Sequence, residues 1–341
     1  MQELINQTPY AIAVVPFIRK DGRGMAATIV KGTFDLYEGS ATPTLADEQV
    51  PIVYADDYFQ EGEKPSSIRY AGEVVPLKPG TDVAVVGYAY PPRGVAKSLD
   101  VLLRVGPLQQ TLRVFGDRVW HRSLGHWKIS TPRPFDRMPL RYERAFGGQG
   151  PLNGDPGRQV RDPRNPIGRG FAVAGDKNDL EGLNLPNVEH PAALINSWKD
   201  RPPVAGFGFI DGSWEPRVRY AGTYDRHWEK TRSPLLPADF DERFHNAAHP
   251  NLVVVPYLSG GEPFRLIHAA KTGDLKFNLP RKQIHATVQM RDQVRHHPAV
   301  LDTVVVVPDA QRLLLTWRAT FDCDIDVTTI DRVTVGEKTM A

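Results

Sequence analysis

The stretch TVVVVPDAQRLLLTWRATF, residues 303–321, indicates the class of fold. A run of valines ends at a Pro-Asp-Ala turn, and an alternating apolar run then extends from Arg312 to Phe321. Apolar side chains at every second position are typical of a β-strand that buries one face. The sequence therefore predicts two strands joined by a turn, the second of them long and half-buried.

The apolar alternation continues beyond Phe321 through Cys323, Ile325 and Val327. The opposite face of this strand is polar, and a solvated face also discourages pairing between sheet edges. Aspartate oxygens are preferred ligands of calcium. A solvated strand face, however, explains the presence of these aspartates without a metal. The polar side chains of this face are Arg318, Asp322, Asp324 and Asp326.

The first 130 residues show the same β pattern. Val101, Leu103 and Val105 occupy every second position and form an apolar face. Gly106-Pro107 then turns the chain, and Leu112 and Val114 continue that face, as in a hairpin. The nearly continuous apolar run from Asp82 to Ala89 predicts a strand covered on both faces. The predicted strands are Ala11–Ile18, Ala26–Leu36, Val83–Ala89, Leu99–Val105 and Gln110–Phe115.

The centre of the chain, residues 131–250, is rich in loops and predicts only short helices. One is expected over Pro191–Trp198, with proline in its first turn. Another is expected after Asp239, where Glu242 completes a capping box. The fold is therefore predicted to be mainly β (α+β), an antiparallel β-sandwich-like core with a long loop-rich central segment carrying short helices. We expect a single domain, 1–341, with a β part at 1–130, the central part at 131–250 and a β part at 251–341.

Composition excludes several classes of protein. The formal net charge is +2, which is too small for the whole chain to bind nucleic acid by charge alone. No apolar run approaches the roughly 18 residues of a membrane-spanning helix. Cys323 is the single cysteine, so no intrachain disulfide forms, and the first residues lack the pattern of a signal peptide. We expect a cytoplasmic protein that does not bind a membrane.

The stretch YERAFGGQGPLNGDPGRQVRDPRNPIGRGF, residues 142–171, follows neither a helical nor a strand period. Its glycines do not form a phosphate-binding motif, because neither a Walker pattern nor a strand–turn–helix context surrounds them. Between Thr131 and Gly170 there are eight Arg, no Lys and four acidic residues. Arginine in place of lysine favours directed hydrogen bonds over a diffuse basic patch, so we expect no nucleic acid partner.

Catalytic and metal sites receive little support from the sequence. Paired carboxylates hydrolyse glycosides, and Glu143 with Asp56, Asp57 or Asp117 is the candidate pair, although ion pairs with neighbouring arginines also account for them. No nucleophile elbow occurs. Asp241, His245 and His249 are potential metal ligands spaced four residues apart, but they form no strong metal-binding motif. We expect no cofactor, no metal and no enzymatic activity.

Protein recognition is the remaining interpretation of the central segment. Arginine and aromatic residues are enriched at the energetic centres of interfaces, and this segment supplies both types. For any single aromatic residue, anchoring a loop to the core is the alternative role. The candidate partner-binding residues are Arg141, Tyr142, Arg144, Phe146, Arg161, Arg164, Arg169, Trp214 and Trp228.

Ten motifs in order resemble a known bacterial family, and the resemblance covers nearly the whole chain. The motifs are Lys78–Asp82, Val114–Arg118 with Trp120, Met138–Gly148, Asn165–Gly168, Leu185–Glu189, Gly206–Gly208, Trp214–Arg217, Thr223–Asp225 with Trp228, Leu236–Asp241 and Leu315–Ala319. The family resembled is a domain of unknown function encoded beside type VI secretion spike genes.

The resemblance implies an adaptor or chaperone. Such a protein stabilises a cognate secreted effector in the cytoplasm and helps to load it onto VgrG and PAAR-like spike proteins. No catalytic residues are implied by the family. The alternative is a β-sandwich enzyme that acts on cell-wall glycan through Glu143 and a nearby aspartate.

Overall fold

The computed structural model describes residues 1–37, 39–60, 65–152, 155–173, 180–291, 293–324 and 329–338. Strands contain 46% of the residues and helices 8%, so the fold is mainly β. The described strands are β1 (Glu3–Asn6), β2 (Ala11–Ile18), β3 (Gly24–Asp35), β4 (Thr44–Leu45), β5 (Asp57–Tyr58), β6 (Ile68–Tyr70), β7 (Thr81–Val85), β8 (Tyr88–Ala89), β9 (Ser98–Val105), β10 (Leu108–Phe115), β11 (Trp120–Ser123), β12 (His126–Ile129), β13 (Met138–Pro139), β14 (Phe146–Gly147), β15 (Gln149–Leu152), β16 (Asp155–Arg161), β17 (Arg169–Gly170), β18 (Val188–Glu189), β19 (Val253–Val254), β20 (Pro263–Ala270), β21 (Gly273–Asn278), β22 (Gln283–Met290), β23 (Gln293–Pro298), β24 (Val300–Val307), β25 (Arg312–Asp322) and β26 (Ile330–Lys338).

Three larger sheets form the body of the described chain. The first has the order β19-β7-β24-β25-β3-β2, with β4 on the end of β3. The second has the order β18-β10-β9-β20-β21, and the third has the order β1-β26-β22-β23. Most pairs are antiparallel, but β7 pairs with β24 and β1 pairs with β26 in parallel. Side chains of all three sheets contribute to one buried apolar cluster, which includes Val83, Leu103, Val306, Leu315 and Val335.

The hairpin predicted at residues 99–115 is present as β9 and β10, with Leu108 opposite Val105. Its predicted apolar face is buried in the main cluster. Strand β7 is buried at every residue, as expected, although it ends at Val85 and β8 is a separate strand. The predicted continuation of β25 through Ile325, Asp326 and Val327 lies outside the described residues.

The predicted solvent exposure of the polar face of this strand is confirmed at Asp322 and Asp324 but is wrong at Arg318. Leu314, Thr316 and Arg318 lie on that face, and all three are buried. The chain around residues 73–75 covers Thr316 and Arg318. Thr316 donates to the carboxylate of Glu73 (2.7 Å), and Arg318 donates to the carbonyl oxygens of Glu73 (2.9 Å) and Val75 (2.7 Å). The long strand is therefore covered on both sides along most of its length.

A row of buried polar residues crosses this sheet. In register, Asp82 on β7 lies beside Thr303 on β24, which lies beside Thr316 on β25, which lies beside Lys31 on β3. All four residues are at most 4% exposed. Polar groups at such depth require partners, and ion pairs supply them here. Lys78 pairs with Asp82, Glu73 with Lys31, and Asp302 with Arg318.

Helices are short in the described chain. The one α-helix, α1, is Arg226–Thr231, and Asp225 caps it by accepting from the amide of Trp228. The 3-10 helices are Tyr142–Arg144, Arg217–Tyr220, Glu242–His245, Pro250–Leu252 and Pro308–Ala310.

Two helix predictions are wrong, the first in the existence of the helix and the second in its capping residue. Residues 191–198 form turns, because the carboxylate of Glu189 accepts from the amide of Ile195 and that of Asp200 accepts from the amide of Ser197. These acceptors take the donors that a helix would use. The cap of the later helix is Asp241, whose carboxylate accepts from the amide of Arg243, whereas Asp239 binds Thr223.

Candidate functional site

The central segment bends back on itself where its glycines allow close approach. Strands β14 and β17 pair in parallel, so Gly147 lies opposite Gly170. Gly147 has a φ of +144°, and a Cβ atom there would lie 2.1 Å from the carbonyl oxygen of Asn165. The buried amide of Asn165 donates to the carbonyl oxygens of Tyr142 (2.8 Å) and Phe146 (3.0 Å). Glycine is therefore required at this crossing of the chain.

Arginines brace this fold through carbonyl and carboxylate oxygens. Arg144 and Arg169 both donate to Oδ1 of the buried Asn187, each at 3.2 Å. The amide nitrogen of Asn187 in turn donates to the carbonyl oxygen of Phe115 and to Asp117 Oδ1. This network joins the central segment to the end of β10, so Arg144 and Arg169 stabilise the fold.

A second, buried ion pair connects two of the sequence motifs. Arg118 donates to Glu189 and to the carbonyl oxygen of Pro186 (2.9 Å), and its guanidinium lies 3.7 Å from the centre of the Phe115 ring. Burial raises the pKa of Glu189 and lowers that of Arg118, although each charge favours the other. A buried pair with this many partners serves to hold the chain together.

A cleft with a volume of about 1080 Å³ lies between two small hairpins. One hairpin is formed by β5 and β6, and the other by β15 and β16, which belongs to the Arg/Gly-rich stretch. We name this feature the hairpin cleft. Its lining includes Asp56, Asp57, Tyr58, Gln60, Ser66, Gly148, Gln149, Arg161, Ile167, Gly168, Asp211, Ser213 and Trp214.

The acidic wall of the hairpin cleft is held by hydrogen bonds. Tyr58 donates to Asp211 at 2.9 Å, and Ser213 donates to the same carboxylate from its hydroxyl (2.6 Å) and its amide (2.8 Å). Burial alone would raise the pKa of Asp211, but these hydrogen bonds together lower it. Burial and the bond to Asp211 raise the pKa of Tyr58 to about 12. Asp211 is thus charged at neutral pH and Tyr58 is protonated.

The other two aspartates of the wall also have partners. Asp57 accepts from Nε (2.9 Å) and Nη2 (3.1 Å) of Arg69. Asp56 Oδ1 accepts from the amide of Gly72 at 2.7 Å. The opposite rim carries the exposed Arg161. The cleft therefore presents charges of both signs, with the negative side chains fixed in position.

The predicted partner-binding residues lie in different places. Arg161 and Trp214 line the hairpin cleft. Tyr142, Phe146 and Trp214 are buried, and Tyr142 packs edge-on against Trp214 with 6.0 Å between ring centres. The buried rings of Tyr142 and Phe146 are not available for direct contact with a partner. Instead, these buried rings anchor the central segment.

The remaining predicted residues support the segment or lie elsewhere. Arg164 pairs with Asp162 and donates to the carbonyl oxygen of Pro202. The guanidinium of Arg141 stacks on the Phe59 ring at 3.8 Å. Trp228 lies on α1, donates to the carbonyl oxygen of Leu235 and does not line the cleft.

Sequence reasoning missed Tyr58, Asp211 and Ser213. The signal for Asp211 was its position in an Asp-Gly-Ser turn directly after the apolar run that ends at Ile210. Nothing in the local sequence indicates that this turn lies beside Tyr58, since 153 residues separate the two.

Of the proposed glycosidase carboxylates, Asp56 and Asp57 line the cleft, whereas Glu143 and Asp117 do not. The carboxylate of Glu143 accepts from the amide (2.9 Å) and hydroxyl (2.5 Å) of Ser67. Asp117 belongs to the Asn187 network.

The candidate metal ligands also have protein partners. Asp241 pairs with Arg243, His245 lies 3.2 Å from Glu242, and His249 Nε2 lies 2.9 Å from the carbonyl oxygen of Val204. In the described part of the chain, no group of three or more potential ligands has the geometry of a metal site. No described helix is long and apolar enough to cross a membrane.

A family model described as an uncharacterized protein conserved in bacteria, DUF2169, matches residues 21–318. The chain belongs to the DUF2169 family. No curated protein and no solved structure matches it. Of the ten motifs in the DUF2169 chain, those that contain Lys78, Arg118, Asn165 and Glu189 form buried intramolecular contacts.

Proposed function

We propose that this DUF2169 protein is a non-catalytic adaptor that binds a secreted effector in the cytoplasm. In this proposal it helps to load the effector onto VgrG and PAAR-like spike proteins of a type VI secretion system. The proposal also includes an antiparallel β-sandwich-like core, with the seven-stranded and five-stranded sheets sharing one apolar cluster. The type VI context rests on the sequence resemblance.

The hairpin cleft is the observation that carries the protein-binding part of the proposal. Small-molecule pockets have volumes of about 300–1,000 Å³ and are mainly apolar. The cleft reaches about 1080 Å³, is open and is lined by charged and polar residues. Apolar residues such as Ile167 and Trp214 share the lining with the charged ones. The size, the open shape and this mixed lining favour a segment of polypeptide as its occupant. Fixed aspartates on one side and Arg161 on the other give charge complementarity to a partner that carries both signs.

The test is co-expression with the effector and tip proteins encoded next to this chain, followed by affinity capture and native mass spectrometry. A defined complex with increased soluble effector is expected. Arg161→Glu reverses a charge in the cleft and should weaken capture at least tenfold. Arg158→Glu is the matched control, because Arg158 is exposed on the same strand but does not line the cleft. Capture of the chain alone would contradict the adaptor proposal.

An enzyme acting on cell-wall glycan is the second candidate, and the carboxylates of Asp56, Asp57 and Asp211 in one cleft are the observation that favours it. If the protein is such an enzyme, the purified protein should lower the turbidity of a peptidoglycan suspension, and Asp211→Asn should abolish this activity. Glu143→Gln addresses the pair named from the sequence. A folded Glu143→Gln variant that supports normal secretion would count against catalysis by Glu143.

A further inference from the structure

A small apolar pocket lies beside the edge strand β19, between three 3-10 helices. Its volume is about 130 Å³. An apolar cavity of about 150 Å³ holds a benzene ring, so this pocket fits one aliphatic side chain. Its apolar lining consists of Ile210, Pro216, Ala248, Pro250 and Val253.

Two guanidinium groups border the pocket. Arg217 donates to the carbonyl oxygens of Phe244 (3.0 Å) and Ile210 (2.5 Å), and forms no ion pair with any described carboxylate. Arg243 pairs with Asp241 through Nε and Nη2 and stacks on the Tyr220 ring at 4.4 Å, which leaves its Nη1 without a described acceptor. Burial lowers the pKa of Arg217, and the carboxylates of Asp56, Asp82 and Asp211 favour its charged form without forming an ion pair with it. Its guanidinium can therefore take an anionic ligand directly.

Asn246 adds a hydrogen-bond acceptor. This residue lines the pocket and is only 7% exposed. Its Nδ2 donates to the carbonyl oxygen of Gly80 (2.9 Å) and to Asp82 Oδ1 (2.9 Å), which fixes the orientation of the amide. Within the described part of the chain, Oδ1 of Asn246 has no hydrogen-bond donor. An amide oxygen held in a fixed orientation at the pocket wall can accept an N–H group from a ligand.

We propose that this pocket binds the C-terminal residue of a partner protein. The aliphatic side chain enters the pocket, the terminal carboxylate is bound by Arg217 and Arg243, and the amide N–H donates to Asn246. A C-terminal residue carries these three features on one unit, whereas an internal residue lacks the charge. The proposal rests on the protein-binding function above, but it concerns a site separate from the hairpin cleft.

The probe is a pool of immobilised pentapeptides with free carboxylates and randomised last two residues, compared with the same pool after C-terminal amidation. Enrichment of Leu, Ile or Val at the last position of the free-acid pool is expected, and amidation should weaken binding at least tenfold. Equal binding of the two pools, or no preference at the last position, would overturn the proposal.

Arg243→Gln should reduce binding of the selected peptide about tenfold. The Arg243 side chain is exposed, so the variant should keep the fold. Arg217→Met should have a larger effect if the variant folds. Arg219→Gln is the matched control. Arg219 lies on the same 3-10 helix as Arg217, but it pairs with Glu215 and does not line the pocket. An equal effect of the Arg219 and Arg243 variants would overturn the assignment. Peptide selection without effector capture would contradict the adaptor proposal alone.

Discussion

Lys78 Nζ lies 2.8 Å from Asp82 Oδ2, and the two side chains are 2% and 0% exposed. Lys78 also donates to Thr303 Oγ1 at 2.8 Å, and Asp82 accepts from Asn246 and from the amide of Ala247. The pair thereby connects β7 to β24 and to the loop that carries Asn246, which lines the small apolar pocket. The Lys-Pro-Gly-Thr-Asp motif is a structural motif in this protein.

Lys78→Met should lower the free energy of unfolding by about 3–5 kcal/mol, because it leaves the charge of Asp82 buried without its cation. Urea denaturation followed by tryptophan fluorescence measures the change. Lys276→Met is the control, since Lys276 pairs with Asp274 at an exposed site and should cost less than about 1 kcal/mol. Equal effects of the two variants would show that the buried pair contributes no more than a surface pair.

Gly147→Ala should destabilise the protein by at least about 2 kcal/mol, because alanine is strained at positive φ and its Cβ meets the Asn165 carbonyl oxygen. Thermal unfolding by circular dichroism is the measurement. Gly125→Ala provides the comparison: Gly125 has a φ of +81°, but a Cβ atom there meets open space. It should cost only about 1–2 kcal/mol of backbone strain. A smaller loss for Gly147→Ala than for Gly125→Ala would contradict the close chain crossing.

Asn187→Ala should cost about 2–3 kcal/mol, since it removes the shared acceptor of Arg144 and Arg169 from a buried position. Limited proteolysis should then cut the central segment faster than in the unaltered protein. Asn196→Ala serves as the control, because the exposed Asn196 bonds only locally to Leu194. If cleavage rates are equal in both variants, Asn187 does not brace the segment.

Stability should fall as the pH drops below about 6.5, the ordinary pKa of histidine. Burial lowers the pKa of His249 in the folded state, and its two ring nitrogens already bond to the Val204 carbonyl and the Asn251 amide as a neutral ring. The unfolded chain therefore binds more protons in this window. Each pH unit costs up to about 1.4 kcal/mol until the folded pKa is reached.

Urea denaturation at several pH values tests this dependence. His249→Gln should flatten the curve without abolishing its slope, because burial also lowers the pKa of His285 and His297. An unchanged slope in His249→Gln would exclude His249 as a source of the pH dependence.

Local pattern was sufficient to predict β2, β3, β24 and β25 and the β9–β10 hairpin. The alternation of apolar residues in a strand depends only on the period of the backbone, so it is visible in the sequence. The failed helix at residues 191–198 shows the limit of this approach. Its sequence suits a helix, but Glu189 and Asp200 take the amide hydrogens in the folded chain. The exposure predicted for Arg318 failed because the covering segment is more than 200 residues away.

The sequence by itself determined the mainly β class, the central Arg/Gly-rich segment as the unusual part of the chain, and membership of the DUF2169 family. Only the tertiary structure decided that Arg144 and Arg169 serve the fold while Arg161 faces a cleft. It alone placed Tyr58 beside Asp211. The physical reason is that strand period and composition are properties of neighbouring residues, whereas burial and charge pairing depend on which distant segments pack together.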